Sequence, residues 1–194
     1  MKLNHALATL LLAGASAQAS VIHFNALLSG AAESPPNASP ATGLTSIYFD
    51  TGTHLMSIEI GYSGLVGGTT AAHIHCCTAV PGVGNSGVAT EVPTFDFVAL
   101  GSHGGDFHDV EDLSLASEYS PAFLAAHGGT ATGAEAALLA GIFAGESYLN
   151  VHSTFRPGGE IRGFLAVPEP STAAILALAV AGLGWRQRGR SNRG

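Results

Sequence analysis

Lysine is missing from almost the whole chain. Of the seven basic residues in 194, Lys2 and four arginines sit near the two ends, and only Arg156 and Arg162 lie between residues 20 and 167. Thirteen acidic residues share that interval, so its net charge is −11 with histidine neutral. A surface so poor in cations has little with which to neutralise phosphates, which argues against nucleic acid and anionic lipid as partners of this part. It suits cations, basic proteins or neutral polysaccharide instead. The fingerprints of several enzyme classes are missing as well. There is no P-loop and no dinucleotide Gly-rich loop, and Gly61-Tyr62-Ser63-Gly64 misses the G-x-S-x-G elbow by one residue. Cysteine is limited to Cys76 and Cys77, and the longest apolar runs lie at the two ends.

Those ends speak about location. Residues 1–19 begin with Lys2, continue through an apolar run at 6–13 and finish on Ala17-Gln18-Ala19, the order of a secretory signal peptide cut after Ala19. At the other end, Pro168-Glu169-Pro170 precedes an apolar run over 172–185 and then Arg186, Arg188, Arg190 and Arg193. From Pro170, about 16 residues at 1.5 Å each give a helix of about 24 Å, a marginal membrane span. The arginines would stop transfer and leave the rest of the chain outside the cytoplasm. Residues 167–194 resemble the PEP-CTERM sorting signal of Gram-negative bacteria. That resemblance implies recognition by an exosortase, processing near Pro168, Glu169 and Pro170, and delivery to the cell surface or an exopolysaccharide matrix. An uncut C-terminal transmembrane anchor is the alternative, and it puts the domain on the same side.

Between the ends, residues 20–166 are enough for one domain with a core of ordinary size. Abundant glycine between short apolar runs points to strands joined by turns. Alternation predicts strands over 23–28, 45–50, 54–60, 71–77, 148–153 and 160–165, with weaker ones over 95–98 and 107–113. Asp50-Thr51-Gly52 and Pro157-Gly158-Gly159 read as turns. Ser120-Pro121 opens a short helix that stops at Gly128, and a second helix is expected over 134–144. The expected fold is mainly β, an antiparallel sandwich or barrel with a short helical insertion before the last two strands.

His73, His75 and Cys77 alternate along one predicted strand and would share a face. His152, on a strand near the end of the domain, supplies a third imidazole if the two strands pair. Two histidines from His-x-His and a third from elsewhere form a ligand set that copper and zinc accept, with Cys77 as a fourth candidate. Histidines on half-buried strands also serve as hydrogen-bonded core, and that reading competes. For the cysteines the alternatives are a vicinal Cys76–Cys77 disulfide, free thiols, an intermolecular bridge, or ligation by Cys77. His103, Asp106, His108, Asp109, Glu111 and Asp112 form an oxygen-rich run that reads either as a calcium site or as a charged strand edge. Arg162 shares a face with Glu160 and is expected to pair with it.

Several segments in order also carry a family likeness. Residues 24–30, Glu33-Ser34-Pro35-Pro36, Ala72-His73-Ile74-His75, Tyr148-Leu149-Asn150-Val151-His152 and Gly158-Gly159-Glu160-Ile161-Arg162-Gly163 resemble a CHRD domain, the module first named from chordin. The resemblance spans essentially all of residues 20–167 and implies an extracellular β-rich module without an assigned activity. The expectation is a non-catalytic exported surface or matrix protein. The alternative is an extracellular copper or zinc protein, or a metal-dependent oxidoreductase, built on His73, His75 and His152.

Overall fold

A computed structural model describes residues 20–168. The expected signal peptide, Glu169, Pro170, the apolar run and the arginines after it lie outside the described residues. Among the described residues no helix is long and apolar enough to cross a membrane.

Seven strands occur among the described residues: β1 (Val21–Ser29), β2 (Thr42–Asp50), β3 (Leu55–Ser63), β4 (Thr69–His75), β5 (Gly105–Asp112), β6 (Tyr148–Ser153) and β7 (Ile161–Phe164). They form one antiparallel sheet in the order β4-β6-β7-β1-β2-β3-β5, curled as a half-barrel. Two helices, α1 (Pro121–Ala126) and α2 (Ala131–Phe143), stand before the last two strands. Mainly β, with the helical insertion in that place, is the architecture the sequence predicts.

Strict alternation explains the central strands. Phe24, Ala26 and Leu28 of β1, Ile47 and Phe49 of β2, and Met56, Ile58, Ile60 and Tyr62 of β3 all turn inward. Period-two burial of this kind fixes register, because a one-residue slip would carry the whole apolar set to the other face. Helix α1 starts where Ser120 accepts a hydrogen bond from the Phe123 amide, with Pro121 in the first turn. Thr130 caps α2 by accepting from the Gly133 amide. That helix buries Ala134, Leu138, Gly141 and Ile142, a stripe spaced four, three and one residues apart that faces the core. At the β2–β3 turn, His54 Nδ1 lies 2.8 Å from a carboxylate oxygen of Glu135 and ties the helix to the hairpin.

Two expectations are corrected. Phe95 and Val98 are buried, yet residues 95–98 form no strand, because they fill the core from a loop beside β4, where the Phe95 amide donates to the Ala72 carbonyl. β4 ends at His75, two residues earlier than alternation suggests. Beyond it the Cys76 amide donates to the Gly87 carbonyl, so the chain leaves its β6 partner there.

Neither sheet edge is bare. β5 carries Asp106, Asp109, Glu111 and Asp112 along one edge. At the other, the Ala89 amide donates to the Ile74 carbonyl and Val88 bridges to His75, so the 86–90 segment lies along β4.

The loops are locked by buried polar groups. Glu160 is fully buried and accepts from Ser39 Oγ at 2.6 Å, the Val66 amide at 2.7 Å, the Gly67 amide and Ser153 Oγ. Burial alone would raise its pKa, but these four donors hold it below the usual value. Arg162 therefore does not pair with Glu160. Its Nε donates to the Ala32 carbonyl at 2.6 Å, and its Nη1 donates to the Gly84 carbonyl and to Asn85 Oδ1. The carboxylate near it is that of Glu33, 3.8 Å away.

Burial pushes Glu33 up to about 7, against the opposing pull of the Arg162 charge. A raised carboxyl pKa means that the folded state holds its proton longer than the unfolded chain. The stability this confers is complete below about pH 4.5 and is lost as pH rises through about 7, on the order of 3 kcal/mol in all. Chemical denaturation at pH 5 and pH 8 should show a smaller loss in Glu33→Gln than in the wild type, the difference between the two being the share that Glu33 contributes beside that of Glu111. An equal loss in the variant would assign the pH dependence elsewhere.

Candidate metal centre

β4 and β6 pair antiparallel with Ala71 opposite His152, His73 opposite Asn150 and His75 opposite Tyr148. His73 and His75 are two residues apart and share a face with His152, which sits diagonally across from His73. The ring centroids lie 5.3 Å apart for His73 and His152, 5.6 Å for His75 and His152, and 5.9 Å for His73 and His75. One nitrogen from each ring lies within 4.8 Å of the others.

Hydrogen bonds fix which nitrogens are free. His73 Nε2 lies 2.7 Å from the Pro93 carbonyl, His75 Nδ1 lies 2.9 Å from that of Ser86, and His152 Nδ1 lies 2.9 Å from that of Pro157. A carbonyl can only accept, so each of these ring nitrogens carries the proton. The neutral rings are left with lone pairs on His73 Nδ1, His75 Nε2 and His152 Nε2. His73 Nδ1 is buried and has no hydrogen-bond partner, which is costly unless something else fills the place. The Nε2 atoms of His75 and His152 face each other at 3.4 Å, and with both Nδ1 atoms protonated no hydrogen joins them. Two nitrogens each about 2.0–2.1 Å from a tetrahedral zinc would stand about 3.3–3.4 Å apart.

Electrostatics keeps the rings in the ligating form. His73 and His75 are 6 % and 8 % exposed, and burial lowers both to about 4, opposed in each case by the carbonyl each ring donates to. Burial lowers His152 as well. Neutral imidazoles are what copper and zinc require. Around them, Tyr148 stacks on His75 with centroids 4.9 Å apart and planes at 6°. The guanidinium of Arg162 lies 4.6 Å over the other ring system's centroid, that of Tyr148. Tyr148 Oη accepts from the Ser86 amide, so the residue that orients His75 is itself held by the stacked tyrosine. Hydrogen-bonded carbonyls behind ligating histidines set tautomer and ring orientation. Backbone carbonyls carry no mark in the sequence, so Ser86, Pro93 and Pro157 could not have been found there.

Cys77 is not gathered with the histidines. It lies past the end of β4, it is disulfide-bonded to Cys76, and its sulfur rests 3.9 Å from the Ala137 carbonyl on α2. A sulfur in a disulfide has no thiolate to offer a metal. The His103–Asp112 run does not assemble as a group either. His103 donates to the Leu65 carbonyl, and the acids gathered around Glu111, Glu91 and Asp96 among them, come mostly from outside the run. Burial first, and then the neighbouring Glu118, push Glu111 up to about 8.

Residues 24–165 match the family model described as CHRD domain. Residues 166–189 match that of the PEP-CTERM protein-sorting motif, which implies recognition by exosortase machinery and export to the cell surface. No curated protein and no solved structure matches the chain.

Proposed function

The chain belongs to the CHRD-domain family, and on that premise we propose that it is an exported surface or extracellular-matrix protein whose β-domain is a non-catalytic module binding a transition-metal ion, copper or zinc. The leader is removed after Ala19, and the chain is processed near Pro168, Glu169 and Pro170, which releases the domain to the surface or to an exopolysaccharide matrix. His73, His75 and His152 are the ligands. The observation that carries the metal reading is that each imidazole spends its only N–H on a backbone carbonyl, so that three neighbouring rings each keep a bare lone pair. A set of purely structural histidines would be expected to satisfy both nitrogens. An all-imidazole set suits copper or zinc rather than calcium or magnesium, which prefer oxygen.

Protein recovered from the surface of its own host tests both parts. The expected mass ends near Pro168, and the expected metal content is one copper or zinc per chain. A mass that extends through Gly194 would overturn the processing, and a metal content near zero would overturn the ligand assignment.

A further inference from the structure

The disulfide that follows His75 directly has a role of its own. Cys76 is buried while Cys77 faces solvent. Cys76 also lines an apolar cavity of about 580 Å³ walled by Val88, Val92, Phe123 and His127. The bond is therefore approachable from outside although it sits at the margin of the core.

Both sulfurs press on one notch in α2. They lie 4.0 and 3.9 Å from the Ala137 carbonyl, and a Cβ at Gly141 would collide with each of them. Glycine is a poor residue for a helix interior, and here it makes room for the sulfur pair. The same short stretch holds the metal ligand. His75 donates to the Ser86 carbonyl and the Cys76 amide to that of Gly87, so His75, the disulfide and the 86–87 segment are fixed to one another.

We propose that Cys76–Cys77 is an exchange site for an extracellular dithiol, and that its reduction loosens the metal centre. One thiolate of the dithiol attacks the sulfur of Cys77, the exposed residue of the pair. The Cys76–Cys77 bond breaks, a mixed disulfide forms on Cys77, and the electron pair leaves on the Cys76 sulfur, which takes up a proton. The second thiolate of the dithiol then attacks its own sulfur in the mixed disulfide and frees Cys77, which is protonated in turn. Two electrons and two protons have passed from the dithiol, now a disulfide, to the cysteine pair. Once the bond is broken the two thiols can turn apart, and the Gly141 notch no longer holds them as a pair. Reduction thus lifts the end of β4 from α2, and His75 is the residue at that end. The gating half of the proposal rests on the three-histidine metal reading, whereas the exchange half does not.

The test uses the full chain, treated with dithiothreitol under nitrogen, desalted, and divided between iodoacetamide labelling and zinc titration. Two labels per chain without denaturant, retained circular dichroism and at least a tenfold weaker zinc affinity, restored on reoxidation, are expected. No labels without denaturant would overturn the exchange. Two labels with unchanged zinc affinity would overturn the gating, as would a collapse of the circular dichroism, which would make the bond a structural staple. An oxidised chain that binds no zinc would overturn the metal reading and the gating together, while the label count still decides the exchange.

Discussion

Replacing His73, His75 and His152 together with alanine should abolish stoichiometric copper or zinc binding in a chain that still unfolds cooperatively. Each single replacement should weaken binding by more than the roughly 10- to 100-fold that follows from losing a residue behind a ligand. The fold should survive because each imidazole contributes one hydrogen bond to a backbone carbonyl, worth about 1 kcal/mol apiece. With the lost packing of the two buried rings added, the set costs upwards of about 3 kcal/mol against a typical domain stability of about 5–15 kcal/mol. His152→Asn is the gentlest version, since His152 is only half-buried. Elemental analysis after dialysis reads the stoichiometry, and calorimetry reads the affinity. Equal metal content in wild type and triple variant would make the three rings a packed cluster and nothing more.

Arg162→Ala should be among the strongly destabilising single changes in the domain. Arg162 is 2 % exposed and sits against the rings of Tyr148 and Phe164. It satisfies the carbonyls of Ala32 and Gly84 and the side chain of Asn85, and it is the charge beside buried Glu33. Truncation removes all of this and leaves two buried carbonyls and the Asn85 side chain without their donor, a loss on the order of 3 kcal/mol or more. Arg162→Lys should fail almost as badly, because an ammonium cannot present the planar fork that reaches donors' partners on two sides at once. In any folded fraction the metal affinity should fall as well, since Tyr148 would lose the guanidinium stacked above it while it holds His75 and Ser86. Urea denaturation with an Arg162→Ala loss under about 1 kcal/mol would contradict this account of the residue.

Both sites were legible in part. The β1–β2–β3 strands could be read because each buries one face only, and burial of one face writes alternation into the sequence. The start of α1 could be read because Ser120 and Pro121 mark it locally, whereas α2 begins at Ala131, three residues ahead of the expected 134, with Thr130 as its cap. Residues 95–98 could not be read correctly, since Phe95 fills the core as well from a loop as from a strand. The three histidines were found by spacing on one strand together with the pairing of another. Alternation on one strand pairs Arg162 with Glu160, whereas its actual acidic neighbour, Glu33, lies far away along the chain. Alternation that continues through Cys77 puts it on the histidine face, and nothing in the local pattern announces that the chain turns toward Gly87.

The two guarded edges of the sheet determine how such domains live together when crowded. Strand-to-strand joining between copies is discouraged by the carboxylates of β5 on one side and by the 86–90 segment on the other. With Arg162 buried, Arg156 is the one exposed arginine among the described residues. Many copies in a matrix would thus act as separate anionic beads, not as a fibre. Their spacing would follow the ionic strength, opening in dilute water and tightening toward contact as the screening length falls from about 30 Å at 0.01 M to about 8 Å at 0.15 M.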